Sequence, residues 1–181
     1  MILSERNHIL RLPRRVGSLK LRCMIHRPDL TVAAVVEQEG RFLVVEERVR
    51  GALVLNQPAG HVEPGESPAT AVVRETWEET AWRFEPHALT GLYLWRNPAS
   101  GRTILRLAFG GTCADHDPRH PLDREIVRVL WLTRAQIADR APALRSPMVL
   151  RCIDDYLRGE RYPLAALKHL EAHHAAVSVS G

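Results

Sequence analysis

Three glutamates, Glu75, Glu78 and Glu79, stand three and four residues apart in the stretch GHVEPGESPATAVVRETWEETAW, residues 60–82. On a helix they would share an arc of roughly 100° and a rise of about 6 Å. Like charges at that spacing repel one another and weaken an isolated helix. Either the face is solvated or a cation is bound there. An oxygen-only ligand set without Cys or His suits a hard divalent ion, Mg²⁺ or Mn²⁺. The flanking residues fit the second reading. Gly60 can bring its backbone carbonyl close to an ion because no side chain intervenes. Gly65 lets the loop turn back, and Glu66 precedes the helix, where the dipole favours negative charge. Arg74 can hold a carboxylate in one orientation with its planar fork.

The surrounding elements must position these groups. Ser67 caps a helix with Pro68 at its first position, running to about Thr80. Ala69, Val72, Val73, Thr76 and Thr80 form its inward face, and Arg74, Glu75, Glu78 and Glu79 the opposite one. Upstream, LTVAAVVEQEGRFLVVEER predicts a hairpin over residues 31–37 and 41–47 that turns at Glu39-Gly40. A short strand follows over 52–55, and residues 56–60 break into a loop. Downstream, strands are expected over 89–95, 104–110 and 126–132, with a polar loop over 115–121. Thr133 caps a short helix to about residue 138. Ser146-Pro147 opens a last helix that Gly159 ends. This order predicts an α/β fold, a mixed sheet with helices on its faces. Short hairpin loops require antiparallel neighbours, which excludes a purely parallel sheet.

The chain has 181 residues, enough for one domain with an appendage. It contains no apolar run of membrane-spanning length, and no membrane partner is expected. Cys23, Cys113 and Cys152 are widely separated and odd in number, which fits idle thiols in a reducing, cytoplasmic setting. The net charge of +4 arises in residues 1–27, which carry seven basic side chains against one acid. The rest is mildly acidic. Residues 1–27 are read as a basic extension, disordered or the product of an overcalled start. Residues 28–170 are read as the domain and 171–181 as a flexible tail. Nucleic-acid binding would rest on the extension alone and is not expected. Monomer and dimer both remain open.

The whole spacing, from Gly60 through Glu66 and Arg74-Glu75 to Glu78-Glu79, resembles the Nudix box, G-x5-E-x7-R-E-U-x-E-E-x-G-U, where U is bulky and apolar. Every charged position matches. The resemblance implies an α/β/α sandwich that hydrolyses nucleoside diphosphates linked to another moiety, using divalent metal. It implies that Glu75, Glu78 and Glu79 are metal ligands together with the carbonyl of Gly60 or Ala59, that Glu75 helps activate water, and that Arg74 and Glu66 support them. Two positions depart. Thr76 stands where an apolar residue is usual, and Ala81 replaces the glycine that ends the helix. Glu125 falls where the family often places a further acid. The stretches TVAAVV, EGRFLVVEE, LNQPAGHVE and RSPMVLRCIDDYLRGERYPL resemble one bacterial subgroup of the family, apart from Leu55, where a tryptophan is usual. Members of that subgroup are nonspecific nucleoside tri- and diphosphatases that release orthophosphate and also take hydroxymethylpyrimidine pyrophosphate. The expected partner is therefore a small-molecule nucleotide or pyrophosphate. Gln57, His61, Arg145, Arg161 and Tyr162 are the candidates for holding it. The competing readings are cleavage of ADP-ribose or dinucleoside polyphosphates, and a non-catalytic domain that senses nucleotides.

Overall fold

Glu39 and Gly40 both take positive φ, 52° and 74°, as a two-residue turn between right-twisted strands requires. They join β1 (Asp29–Gln38) to β2 (Arg41–Val49). The computed structural model describes residues 27–170. The expected tail, and all of the expected basic extension but Arg27, lie outside them. The strands β3 (Ala52–Asn56) and β4 (Ala59–His61) follow, then α1 (Pro68–Thr80), β5 (Arg83–Arg96), β6 (Thr103–Ala114) and β7 (Ile126–Thr133). The chain continues through α2 (Arg134–Ala138), a 3₁₀ turn, α3 (Met148–Leu157), a two-residue β8 (Tyr162–Pro163) and a second 3₁₀ turn.

The sheet runs β3-β2-β1-β6-β5-β8, with β4 paired to β1 and β7 to β2. Among the described strand pairs only β1 and β6 are parallel, and the others are antiparallel. β1 meets β2 in register only next to the turn, at Glu37–Phe42 and Gln38–Arg41. Beyond that point β1 pairs with β4 and β6, while β2 pairs with β3 and β7. The two strands splay, and a cleft opens between them.

β1 is buried on both faces, which explains its continuous apolar run. Val32, Ala34 and Val36 pack with Ala71 and Val72 of α1 and with Phe84 and Phe109. Val35 packs on the other side with Phe42, Ile137, Val149 and Ile153. The result is the expected mixed sheet between helical layers.

The local signals at the helix ends differ in outcome. Ser67 accepts from the Thr70 N–H at 3.1 Å and caps α1, and Thr133 with Gln136 forms a capping box on α2. Ser146 caps nothing, because Pro147 takes the cap position of α3 and the Ser146 hydroxyl is buried without a partner. On α1, Val73 faces solvent, whereas Ala71, Glu75 and Glu79 are buried. α1 therefore buries two sides, one against the sheet and one against the cleft. β5 begins at Arg83, well before the expected residue 89. Pro86 and a register shift between Pro86 and Ala88 obscure its alternation. β4 forms where a loop was expected, and β8 lies beyond the last expected helix.

Ala81 ends α1 in the left-handed conformation, with φ 58° and ψ 19°, and its N–H reaches the Trp77 carbonyl at 2.8 Å. An L-residue is strained there. Ala81→Gly is expected to stabilise the protein by about 1 kcal/mol, raising the thermal midpoint by roughly 2–4 °C. A melt no higher than that of the parent chain would show that the buried methyl contributes as much as the strain costs.

Candidate active site

α1 presents its carboxylates to the splayed end of the sheet. Glu75, Glu78 and Asp123 each offer an oxygen, and these lie within 4.8 Å of one another. Glu75 and Glu79 are only 9% and 7% exposed. Glu79 is not one of the trio and accepts from the Ala59 N–H at 2.9 Å. It lines the same cleft, of about 580 Å³, as Glu47, Glu75 and Glu125. The E-x-x-E-E spacing thus feeds two neighbouring groups of acids.

Arg74 organises the first group. Its Nε and Nη2 fork onto the two Glu66 carboxylate oxygens at 2.9 and 3.0 Å. Nη1 donates to both Glu75 and Glu78 at 2.9 Å, and Nη2 also donates to the His61 carbonyl at 3.1 Å. Gly60 has a steric role that its spacing did not reveal. A methyl group on it would fall inside the Glu75 carboxylate, so Glu75 can occupy its place only against a glycine.

The electrostatics follow from this crowding. Burial pushes the Glu75 carboxyl above its ordinary value, although Arg74 pulls it back. Burial pushes Glu79 well up against the single hydrogen bond from Ala59, and it raises Glu47 as well. Asp123 rises through burial first and then through its neighbours Glu78 and Glu125. Glu66 is held below its ordinary value by Arg74. Desolvated, mutually repelling carboxylates with no nitrogen or sulfur ligand fit a hard divalent cation.

The other candidates are scattered. His61 and Arg145 line the cleft, and Arg145 Nε sits 3.5 Å from Glu47. Gln57 is buried beneath the floor, where its amide donates to the Val149 carbonyl at 2.8 Å. Tyr162 lies elsewhere. It pairs with Leu89 at the sheet edge, hydrogen-bonds Glu160 and lines a separate open hollow beside α3. Arg161 lies over the Tyr156 ring. Tyr162 is held by the short C-terminal strand, which the sequence pattern did not show, and Arg161 just before it donates to the carbonyls of Tyr156 and Glu160.

Asp123 and Glu47 were missed. Asp123 arrives on the loop between β6 and β7. The Asp117 and Asp123 N–H groups donate to the carbonyls of Ala81 and Glu78 at the end of α1, each at 3.0 Å. His120 and His116 stack on Trp77 and Trp82 with centroids 4.4 and 4.7 Å apart. The only hint in the sequence was the density of acids just before Glu125. Glu47 reads as an ordinary strand-end glutamate until the fold brings it beside Asn56 and Arg145.

Comparison with known proteins is consistent with this geometry. A family model described as the NUDIX domain matches residues 26–152. Phosphatase NudJ of Shigella boydii serotype 4 is 40% identical over 138 residues, covering 76% of this chain and 89% of the relative. Phosphatase NudJ of Escherichia coli K12 matches with the same identity and coverage. A solved NUDIX hydrolase from Nitrosomonas europaea superposes with a TM-score of 0.78 at 47% identity, covering 80% of this chain and 98% of that one.

Two outcomes are expected. Gly60→Ala should displace the Glu75 carboxylate. It should abolish the rise in thermal midpoint that Mg²⁺ or Mn²⁺ produces and cut turnover by about a hundredfold; an unchanged metal response would mean that Glu75 is not a ligand. The second outcome concerns pH. Glu47, Glu75, Glu79 and Asp123 bind protons more tightly in the folded chain than in the unfolded one. With chelator present, stability should therefore fall as pH rises from about 5 to 7.5. The lowered acids Asp29, Glu66 and Asp154 act only below that window. Thermal melts across the range should show the decline, and divalent metal should remove it.

Proposed function

The chain belongs to the Nudix family, and from that premise we propose that it hydrolyses nucleoside tri- and diphosphates and releases orthophosphate. It is a hydrolase acting on phosphorus anhydrides. The observation that carries the reading is the pair of buried carboxylates, Glu75 and Glu79, lining a cleft large enough for a nucleotide, with Glu78 and Asp123 close beside Glu75. Relatives named as phosphatases support orthophosphate as the product. Hydroxymethylpyrimidine pyrophosphate fits the same chemistry and is proposed as a further substrate.

Mg²⁺ is the proposed metal, with Mn²⁺ able to substitute. It would be held by Glu75, Glu78 and Asp123, with Glu79 and the Gly60 carbonyl beside them. When bound it neutralises phosphate charge and acidifies water. The chain's own groups do the rest. Glu75, raised by burial and steadied by Arg74, would orient the attacking water and take its proton. Arg74 and Glu66 act as positioning residues. Glu125 stands on the cleft wall as the further acid. Arg145 and His61, which line the cleft, would meet the outer phosphates. No helix among the described residues is long and apolar enough to cross a membrane. The free thiols, Cys113 pushed up to about 12 and Cys152 to about 11 by burial, suit a cytoplasmic setting.

The test is phosphate release with Mg²⁺ from GTP, GDP, ATP, ADP-ribose, diadenosine tetraphosphate and hydroxymethylpyrimidine pyrophosphate. Orthophosphate should appear from the tri- and diphosphates, and Glu79→Gln should lower kcat by about 10²-fold or more. Turnover confined to ADP-ribose or the dinucleotide would replace the substrate class. A folded chain that turns over nothing would point to a sensing domain.

A further inference from the structure

Among the described residues four buried side-chain polar atoms lack a hydrogen-bond partner, and three of them belong to residues of the cleft: Thr31 Oγ1, Arg106 Nε and Ser146 Oγ. These residues are recessed, with exposures of 8%, 5% and 6%. Thr31 and Arg106 are direct partners in the β1–β6 pairing, so their side chains leave the same face of the sheet. Among the described residues the Arg106 guanidinium commits only Nη1, and only to amide oxygens, of Gln57 at 3.3 Å and Asn56 at 3.5 Å. A buried guanidinium with unused donors is costly. The fold keeps it where a ligand in the cleft can supply the missing acceptors.

The number and charge of those donors indicate the ligand. A guanidinium together with hydroxyl groups suits a group that carries several oxygens and negative charge. The ionisable side chains that bear on Arg106 are the acids Glu47 and Glu79, the cation Arg145 and the buried Cys152 thiol. With Arg106 itself counted, two cations stand against two acids, so the acids do not exclude an anion. The recess limits which anion enters. A bridging phosphoryl group carries chain on both sides and cannot end there, whereas a terminal one can. We propose that Arg106, with Arg145 and the Thr31 and Ser146 hydroxyls, seats the terminal phosphoryl group of the substrate. Glu79 both lines the cleft and bears on Arg106, so the anhydride next to the seated group lies at the carboxylates of α1. Water attacks phosphorus there, the bond to the bridging oxygen breaks with its electron pair leaving on that oxygen, and the proton of the water passes to Glu75. A triphosphate is thereby cut to orthophosphate and a nucleoside diphosphate, not to pyrophosphate and a monophosphate. The base is left unread, which agrees with the range of nucleotides and the pyrimidine pyrophosphate proposed above. The inference rests on that hydrolase reading and names the group that decides which anhydride is cut.

The products and KM values of the full chain with Mg²⁺ and GTP, ATP or CTP test it. The parent chain should release orthophosphate with at most a trace of pyrophosphate. Arg106→Met should raise KM by one common factor of about tenfold for all three nucleotides, and pyrophosphate should become roughly a tenth or more of the product. A parent chain that releases mainly pyrophosphate overturns the proposal, as does a pyrophosphate share unchanged in Arg106→Met. So do factors that differ between the bases, which would make Arg106 a base contact. If Arg106→Met does not fold or does not turn over, Ser146→Ala and Thr31→Val take its place. Each removes one unpartnered hydroxyl and should raise KM about threefold for all three nucleotides; an unchanged or base-dependent KM overturns the proposal. If no nucleotide is hydrolysed, the hydrolase reading fails, but the seat is still tested by calorimetric binding of inorganic orthophosphate with Mg²⁺ present. Binding to the parent chain that weakens in Ser146→Ala and Thr31→Val supports the seat, and absent or unchanged binding overturns it.

Discussion

The Arg74 guanidinium is the interaction on which the site depends. One planar group spans the loop before α1, through Glu66 and the His61 carbonyl, and the helix itself, through Glu75 and Glu78. Charge-assisted bonds of this kind contribute about 1.5–3 kcal/mol each when well buried. The Arg74 side chain is partly exposed, so their sum in stability is much smaller. Their larger effect is on orientation. A carboxylate bonded to a rigid fork has few rotamers left, and a lysine could not bridge all three acids in one plane.

The location of the chemistry follows from how β1 and β2 share their partners. They leave a tight turn together and then separate, because β1 takes β4 and β2 takes β3. β4 carries Ala59 and Gly60 directly under α1. There the Ala59 N–H meets Glu79, and the bare Cα of Gly60 makes room for Glu75. The acids of the helix are thus fixed against a strand rather than left on a solvated surface. Their desolvation, which raises their proton affinity, follows from that packing. Arg106 of β6, itself buried, also lines the cleft, which therefore carries acids from the helix and a cation from the sheet.

Much of this was legible in the sequence wherever the signal was local. The hairpin at Glu39-Gly40, the Ser67 cap and the spacing of Arg74, Glu75, Glu78 and Glu79 are short-range patterns, and the fold retains them. What was hidden depends on contacts between distant segments. Asp123 reaches the site only because backbone donors of its loop find the carbonyls at the end of α1. Arg106 sits in a strand rich in apolar residues, and nothing local marks it as a cleft residue. Tyr162 looked like a substrate contact because RYPL is distinctive, yet a two-residue strand ties it to the far edge of the sheet. Val73 fits the helical period but lies outside the packed arc, because the helix buries its acidic side instead.

The two departures from the family spacing end differently, and the difference is instructive. Thr76 is fully buried, and its hydroxyl donates back to the Val72 carbonyl at 2.7 Å, so its polarity is satisfied within the helix. Ala81 has no such remedy and holds a left-handed backbone that a glycine would adopt freely. The strain persists because that turn frees the last carbonyls of α1 for the incoming loop. Ala81 itself accepts from Asp117, and Glu78 accepts from Asp123. Had the helix run on by another turn, its own N–H groups would have taken the Glu78 carbonyl, and Asp123 would have lost the bond that holds it beside Glu75. The position that costs stability is therefore the one that admits the loop carrying the fourth carboxylate, which is where backbone strain is expected to collect in an active site.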